Sequence, residues 1–327
     1  MSPIFASLSC ATALVLAAGM PVRAIGQDGY PGKPIRMIVP VAAGAPTDLV
    51  MRTAGQDLLP RLGQPLIVDN RPGAGLIIGT EACAKAAPDG YTICNVNSDS
   101  MSVNPHIVAK LPYDPEKDFK PITTLYYLIQ GLIASNSLPV NSVKDLQGLA
   151  TAKPRALNFG TMGQGTNPDV FRQWLNEQWR TDIAGIPYKG ANLIMAALVA
   201  GEVDLSRISL STVGGQMKAG KVKVLAVGNS KRLRLFPEIP TYAEVGLDGF
   251  TEQVWWGLAA PAGTPDAMVR RLNAEFVRLF REPKFLEYME SQFLETVVGS
   301  PESFAKFMRE DRERAGVVVR KYNVPRQ

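Results

Sequence analysis

The apolar positions of this chain switch between short continuous runs and three- and four-residue spacing, and that switching predicts alternating strands and helices. Ile35-Arg36-Met37-Ile38-Val39-Pro40 is a strand-like run ending in the small-residue loop Val41-Ala42-Ala43-Gly44-Ala45-Pro46-Thr47-Asp48. A helical pattern follows through Leu49, Met51 and Leu58-Leu59, with Asp48 expected as its N-cap and Gly63 as its stop. Pro65 to Asn70 reads as the next strand, Arg71 to Gly75 as a turn, the stretch to Ala86 as a helix, and Tyr91 to Val96 as a third strand. This β-α-β-α-β rhythm predicts a parallel sheet covered by helices.

Residues 111–120 are polar and turn-rich, and a new apolar run begins near Leu128. The rhythm then restarts: strand at Leu157-Asn158-Phe159, loop Gly160-Thr161-Met162-Gly163-Gln164-Gly165-Thr166, helix Val170 to Trp179. Strands at Ile183–Pro187, Val203–Leu205 and Val222–Val227 and a helix at Leu193–Ala200 complete the second series. After the loop 229–250 come a strand, Val254 to Ala260, and amphipathic helices carrying Met268, Leu272, Phe276 and Leu279 at helical spacing. The expected fold is α/β with two similar lobes, each a mostly parallel sheet flanked by helices, joined by two crossings. Residues 25–127 and 251–327 would form the first lobe and 128–250 the inserted second, with a cleft at the C-terminal ends of the strands.

Composition narrows the function. With 46% hydrophobic and 20% charged residues among 327, the chain is ordinary globular material, long enough for two domains. Its net charge of +5 comes from 35 basic and 30 acidic residues that interleave, as in Arg309-Glu310-Asp311-Arg312-Glu313-Arg314. That surplus would help attract anions, but without a basic stripe it gives no reason to expect nucleic acid. Ile4 to Met20 is apolar and is followed by Val22-Arg23-Ala24, the pattern of a secretory signal cleaved after Ala24, although Met1-Ser2-Pro3 lacks the usual Lys or Arg. The mature chain is expected in the periplasm. There Cys83 and Cys94 could pair, but one sits in a helix-like and the other in a strand-like stretch, so two buried free thiols are expected. With one histidine, His106, no Cys/His zinc site can be assembled.

Chemistry is concentrated in loops that join a strand end to a helix start. The loops at 41–48 and 160–166 are built of small and hydroxyl residues, which let backbone amides at a helix N-terminus approach an anion. Set on opposite lobes, they would hold the two ends of a carboxylate or dicarboxylate. Gly73-Ala74-Gly75-Leu76-Ile77-Ile78-Gly79 imitates a dinucleotide fingerprint but has one residue too many and follows the second strand; tight helix–sheet packing and a cleft wall are expected, and no cofactor. Asn97-Ser98-Asp99-Ser100 reads as another cleft loop. No Gly-x-Ser-x-Gly, His-Glu-x-x-His or Cys–His arrangement supplies a catalytic set, His106 reads as a surface or hinge residue, and Trp255-Trp256 as core and hinge packing.

Taken together, Tyr30-Pro-Gly-Lys-Pro-Ile-Arg-Met-Ile-Val-Pro, Asp69-Asn-Arg-Pro-Gly-Ala-Gly, Ala87-Pro-Asp-Gly-Tyr-Thr, Leu111-Pro-Tyr-Asp-Pro-Glu-Lys-Asp-Phe, Pro187-Tyr-Lys-Gly, Gly201-Glu-Val-Asp and Leu258-Ala-Ala-Pro-Ala-Gly-Thr-Pro resemble the extracytoplasmic receptors of tripartite tricarboxylate transporters, the Bug family, over nearly the whole mature chain. The resemblance implies a Venus-flytrap binding protein of type II-like plan that is not an enzyme. It would capture a small carboxylate, act as a monomer and deliver its cargo to a small and a large membrane subunit. An orphan ligand sensor, a hydrolase or lyase on the same scaffold, and a cytoplasmic effector domain are the alternatives. Carried over, the ligand positions fall on Ala43, Gly44, Ala45, Thr47 and Asp48, on Thr161, Met162, Gly163, Gly165 and Thr166, and on Ala74, Ser98 and Asp204. The chain departs from the family at Ala45, Leu76 and Pro168-Asp169, and at Ser206-Arg207, where apolar residues are usual. Arg207 would either pair with a ligand carboxylate or end the strand in solvent.

Overall fold

The computed structural model describes residues 29–250 and 253–326, and the expected export segment, residues 1–24, lies outside them. From Pro31 the chain forms one compact body holding two sheets. β1 (Ile35–Val39), α1 (Pro46–Leu62), β2 (Leu66–Asn70), α2 (Ile77–Ala84) and β3 (Thr92–Asn97) follow the predicted rhythm. The short α3 (Asn104–Ile107) then leads to β4 (Phe119–Leu128). The second series runs β5 (Gln130–Ser135), α4 (Val143–Ala152), β6 (Asn158–Thr161), α5 (Asn167–Trp179), β7 (Ala184–Pro187), α6 (Ala191–Ala200), β8 (Leu205–Ser209), α7 (Leu210–Lys218) and β9 (Val222–Gly228). The chain returns through β10 (Trp255–Pro261), α8 (Asp266–Leu279), α9 (Pro283–Ser291), β11 (Leu294–Thr296) and α10 (Pro301–Lys321).

Both sheets are mixed. The first has the order β11-β4-β10-β3-β1-β2 and the second β7-β6-β8-β5-β9. β1, β2 and β3 are parallel, and so are β6, β7 and β8, while β10 and β5 run against their neighbours. Direction decides where the lobes meet. β4 ends at Leu128 on the same side as the C-terminal ends of β1–β3, and β5 starts with Gln130 opposite Ser209, the C-terminal end of β8. The return obeys the same rule, since Gly228 pairs with Gln130 and Trp255 with Tyr127. Both crossings therefore lie at the C-terminal edges of the parallel strands, and the loops that leave β1–β3 and β6–β8 open toward that junction.

Phe293 adds a third tie. Its carbonyl accepts the amide of Ile129, and its ring packs in the second-lobe core beside Gly214. α10 adds a fourth. Phe304 and Met308 anchor it in the first-lobe core, whereas Tyr322, just beyond it, packs against the second-lobe core, with Lys321 and the Tyr322 hydroxyl both meeting Glu177 on α5.

Several elements differ from the sequence reading, which had no counterpart of α4 or β11. β4 starts inside the stretch read as a turn, where Pro121 and two threonines dilute the apolar signal. α7 was not expected because Gly214 and Gly215 sit in its middle. β8 continues to Ser209 although Ser206, Arg207 and Ser209 are polar; each is buried and bonded, Ser206 Oγ to the Gly160 carbonyl at 2.7 Å. The free-thiol expectation is also corrected. Cys83 and Cys94 form a disulfide, because α2 packs over β3 and sets their Cα atoms 6.0 Å apart, within bridging range.

Candidate functional site

The two loops singled out in the sequence are built by one device used twice. α1 begins at Pro46 after Ala45 in extended conformation (φ −65°, ψ 154°), and α5 begins at Asn167 after Thr166 in the same conformation (φ −70°, ψ 157°). The third helical residue is an aspartate in each. Asp48 accepts the amide of Gly44 at 2.8 Å, and Asp169 accepts the amide of Gly165 at 3.0 Å. Both glycines have positive φ, 81° and 78°, which turns the loop back over the first helical turn. Asp48 is therefore not the N-cap; Ala45 holds that place, and the carboxylate ties the loop down from inside the helix.

Each aspartate is buried and matched with a cation one turn on. Arg52 Nε lies 3.0 Å from Asp48, whose other oxygen accepts Asn70 Nδ2 at 2.9 Å. Arg172 Nη2 lies 2.8 Å from Asp169, joined by Gln173 Nε2 at 2.8 Å. Burial would raise the Asp48 carboxyl, but the bonds from Arg52, Gly44 and Asn70 outweigh it and hold the group below its usual range. With both carboxylates neutralised this way, the first-turn amides of α1 and α5 keep their capacity for an anion at the cleft. Asn70, Arg52, Arg172 and Gln173 were missed in the sequence, though the spacings Asp48–Arg52 and Asp169–Arg172 were visible as helical pairs.

The remaining expected residues divide. Ala43, Gly44 and Met162 are exposed, and Ala45, Gly163 and Gly165 half-buried, as a cleft lining requires. Thr47 is buried and its hydroxyl accepts from Tyr126 at 3.2 Å. Thr161 and Thr166 hydroxyls serve the loop itself: Thr166 Oγ1 donates to the Gly163 carbonyl at 2.6 Å, and Thr161 Oγ1 accepts the Gly163 amide at 3.4 Å. A hollow of about 310 Å³ opens beside this loop, lined by Thr161, Gln164, Arg172 and Gly185 among others. Ala74 (φ 46°) and Leu76 (φ 72°) lie in a left-handed turn steadied by Asn104 Nδ2 on the Gly75 carbonyl, and Gly79 packs so closely on Pro40 that a Cβ there would approach it to 2.7 Å. That closeness agrees with the packing role expected for the glycine motif. Ser98 is buried and its Oγ has no hydrogen-bond partner. Its neighbour Asp99 is accessible to solvent, yet desolvation by the surrounding protein and then the charge of Asp311 push its carboxyl up, against a bond from Asn97.

Asp204 is placed elsewhere. Its carboxylate accepts the Asn158 amide at 2.7 Å at the N-terminal end of β6, the far end of the strand from the loop. Arg207 is not a solvated strand end either. It is 3% exposed, donates to Asn167 Oδ1 at the start of α5, and lies over the rings of Phe250, Phe171 and Tyr242 at 4.8, 5.2 and 5.8 Å. A buried guanidinium enclosed by aromatic faces acts as a cationic peg under the second loop. His106 is half-buried, with Nε2 2.8 Å from the Arg312 carbonyl on α10.

Two sheet-bearing lobes, chain crossings at their shared edge and matched helix N-termini facing that edge define a two-lobed solute-binding protein. Comparison with known proteins agrees and is more specific. The profile of the tripartite tricarboxylate transporter family receptors matches residues 50–324, and the chain belongs to that family. Among solved structures, the periplasmic binding protein BugD is similar at 32% identity, covering 91% of this chain and 100% of BugD with a TM-score of 0.75. An R. palustris protein with adipate is 27% identical over 91% of this chain and 100% of its own, TM-score 0.80. MatC from Rhodopseudomonas palustris with bound malate is 30% identical over 89% and 100%, TM-score 0.71.

Proposed function

We propose that this receptor is exported, captures a small organic carboxylate between its lobes and delivers it to the small and large membrane subunits of a tripartite transporter, working as a monomer and without catalysis. The observation that carries this reading is the repeated device at Gly44–Asp48 and Gly165–Asp169, which sets one helix N-terminus from each lobe at the strand edge where the crossings run. Such termini favour negative charge, and one from each lobe suits an acid with two oxygen-rich ends. The malate and adipate held by its structural relatives are of that kind. The disulfide supports export, since such bonds persist outside the reducing cytoplasm. The two crossings support a lobe division with residues 128–250 as the inserted lobe. His106, engaged on α10, offers no general base to the loops, which favours binding over turnover.

The test is a thermal-shift panel on the mature protein with malate, adipate, other mono- and dicarboxylates, aromatic acids and amino acids. A ligand at 100 times its dissociation constant stabilises by about 2.7 kcal/mol, which raises the midpoint visibly. A selective shift by one class of acid is expected. No shift by any acid, with a shift by neutral or cationic solutes, would sink the carboxylate reading.

A further inference from the structure

The first lobe has a hydrogen-bond donor that its own fold leaves unused. Trp255 and Trp256 point to opposite faces of β10. Trp255 belongs to the core: it packs edge-on against Phe304, and its Nε1 donates to Asp311 at 2.6 Å. Trp256 pairs across the sheet with Tyr126 on β4 and Asn97 on β3, at the cleft end of the sheet. Cross-strand partners share a face, so the Trp256 indole lies on the side of Tyr126, whose hydroxyl reaches Thr47 in the first turn of α1. Trp256 is 5% exposed and its Nε1 has no hydrogen-bond partner. An indole nitrogen can only donate, and buried donors are rarely left without an acceptor, so this one needs an explanation. Just past the end of β3, the Ser98 Oγ is buried and unpartnered as well. Both idle polar atoms thus belong to residues at the C-terminal edge of β3, the edge of the sheet where the crossings run.

We propose that Trp256 is a ligand-selecting residue of the receptor: its indole N–H donates to a carboxylate oxygen of the acid that the lobes close around, with the Ser98 hydroxyl as the neighbouring contact. This rests on the carboxylate-receptor reading and adds a side chain that the glycine-rich loops do not supply. A fixed donor rejects ligands that lack an oxygen in its line, whereas loop amides and water accept many acids. The bulk of the ring sets how long an acid fits between it and the second loop.

Calorimetric titration of wild type and W256F with malate, adipate and benzoate separates the possibilities. Phe keeps the six-membered ring and deletes the donor together with the five-membered ring. W256F is expected to bind the preferred acid at least tenfold more weakly while it still unfolds in one cooperative transition, at a midpoint somewhat below that of wild type. Equal affinities in the two proteins would overturn the role of Trp256 and leave the receptor reading intact. Absence of binding by wild type to any of the acids would overturn both. In the wild-type protein, the indole N–H resonances give a second measurement that does not depend on the variant folding. Saturation with the acid should move the Trp256 signal downfield and leave that of Trp255, held on Asp311, in place. An unmoved Trp256 signal at saturation contradicts the proposal.

Discussion

Gly44 and Gly165 occupy equivalent places in the two loops, and their neighbours make them a controlled comparison. A Cβ on Gly44 would meet nothing within 4 Å, so Gly44→Ala adds only left-handed backbone strain, about 1 kcal/mol. A Cβ on Gly165 would come within 2.2 Å of Val324 Cγ1, so Gly165→Ala adds a clash to the same strain and should cost about 2–3 kcal/mol. Urea midpoints of the two variants check the order, and equal losses would mean that Val324 yields freely. Asp48 gives a pH signature. Its folded pKa is depressed from the ordinary 3.8, so its contribution is fully present above that value and is lost as pH falls through the folded pKa. Stability measured from pH 6 downward should therefore decline more steeply below about 4 in wild type than in Asp48→Asn. The sequence located this aspartate but not its work: a helix-starting Asp reads as an N-cap, and only the extended Ala45 shows that the helix begins earlier.

Among the elements, α2 and β3 show what sequence patterns carry and what they omit. Both were legible from their apolar spacing, with limits within two residues. Their separation in space was not, and so the bridge between Cys83 and Cys94 was missed: spacing along the chain says nothing about which face of a helix crosses which strand. The disulfide closes a short loop, so the Cys83→Ala/Cys94→Ala protein should lose about 2–4 kcal/mol. Denaturant unfolding of that variant, and of wild type under reductant, should agree. The same limit explains β8, where Asp204 was expected at the cleft and Arg207 either there or in solvent at the strand end. Strand register puts Asp204 at the entry of the sheet and Arg207 in its middle, under α5. By contrast, the two loops were legible because they need glycine and a helix start, both local features.

At the scale of the molecule, the two-lobed plan was readable from the restarted strand–helix rhythm, whereas the extra ties between lobes came from unremarkable residues such as Phe293 and Tyr322. Tyr322 rests on the second-lobe core while α10 belongs to the first, so it resists separation of the lobes. Tyr322→Ala should enlarge the radius of gyration of the ligand-free protein and weaken acid binding, since the closed form loses that support. The account as a whole stands on closure around an acid. The most direct test is small-angle X-ray scattering of the mature wild-type protein with and without a saturating concentration of the acid that gives the largest thermal shift. A smaller radius of gyration with the acid, reversed on dialysis, is the predicted result. Superimposable curves, with binding verified by calorimetry, would contradict it.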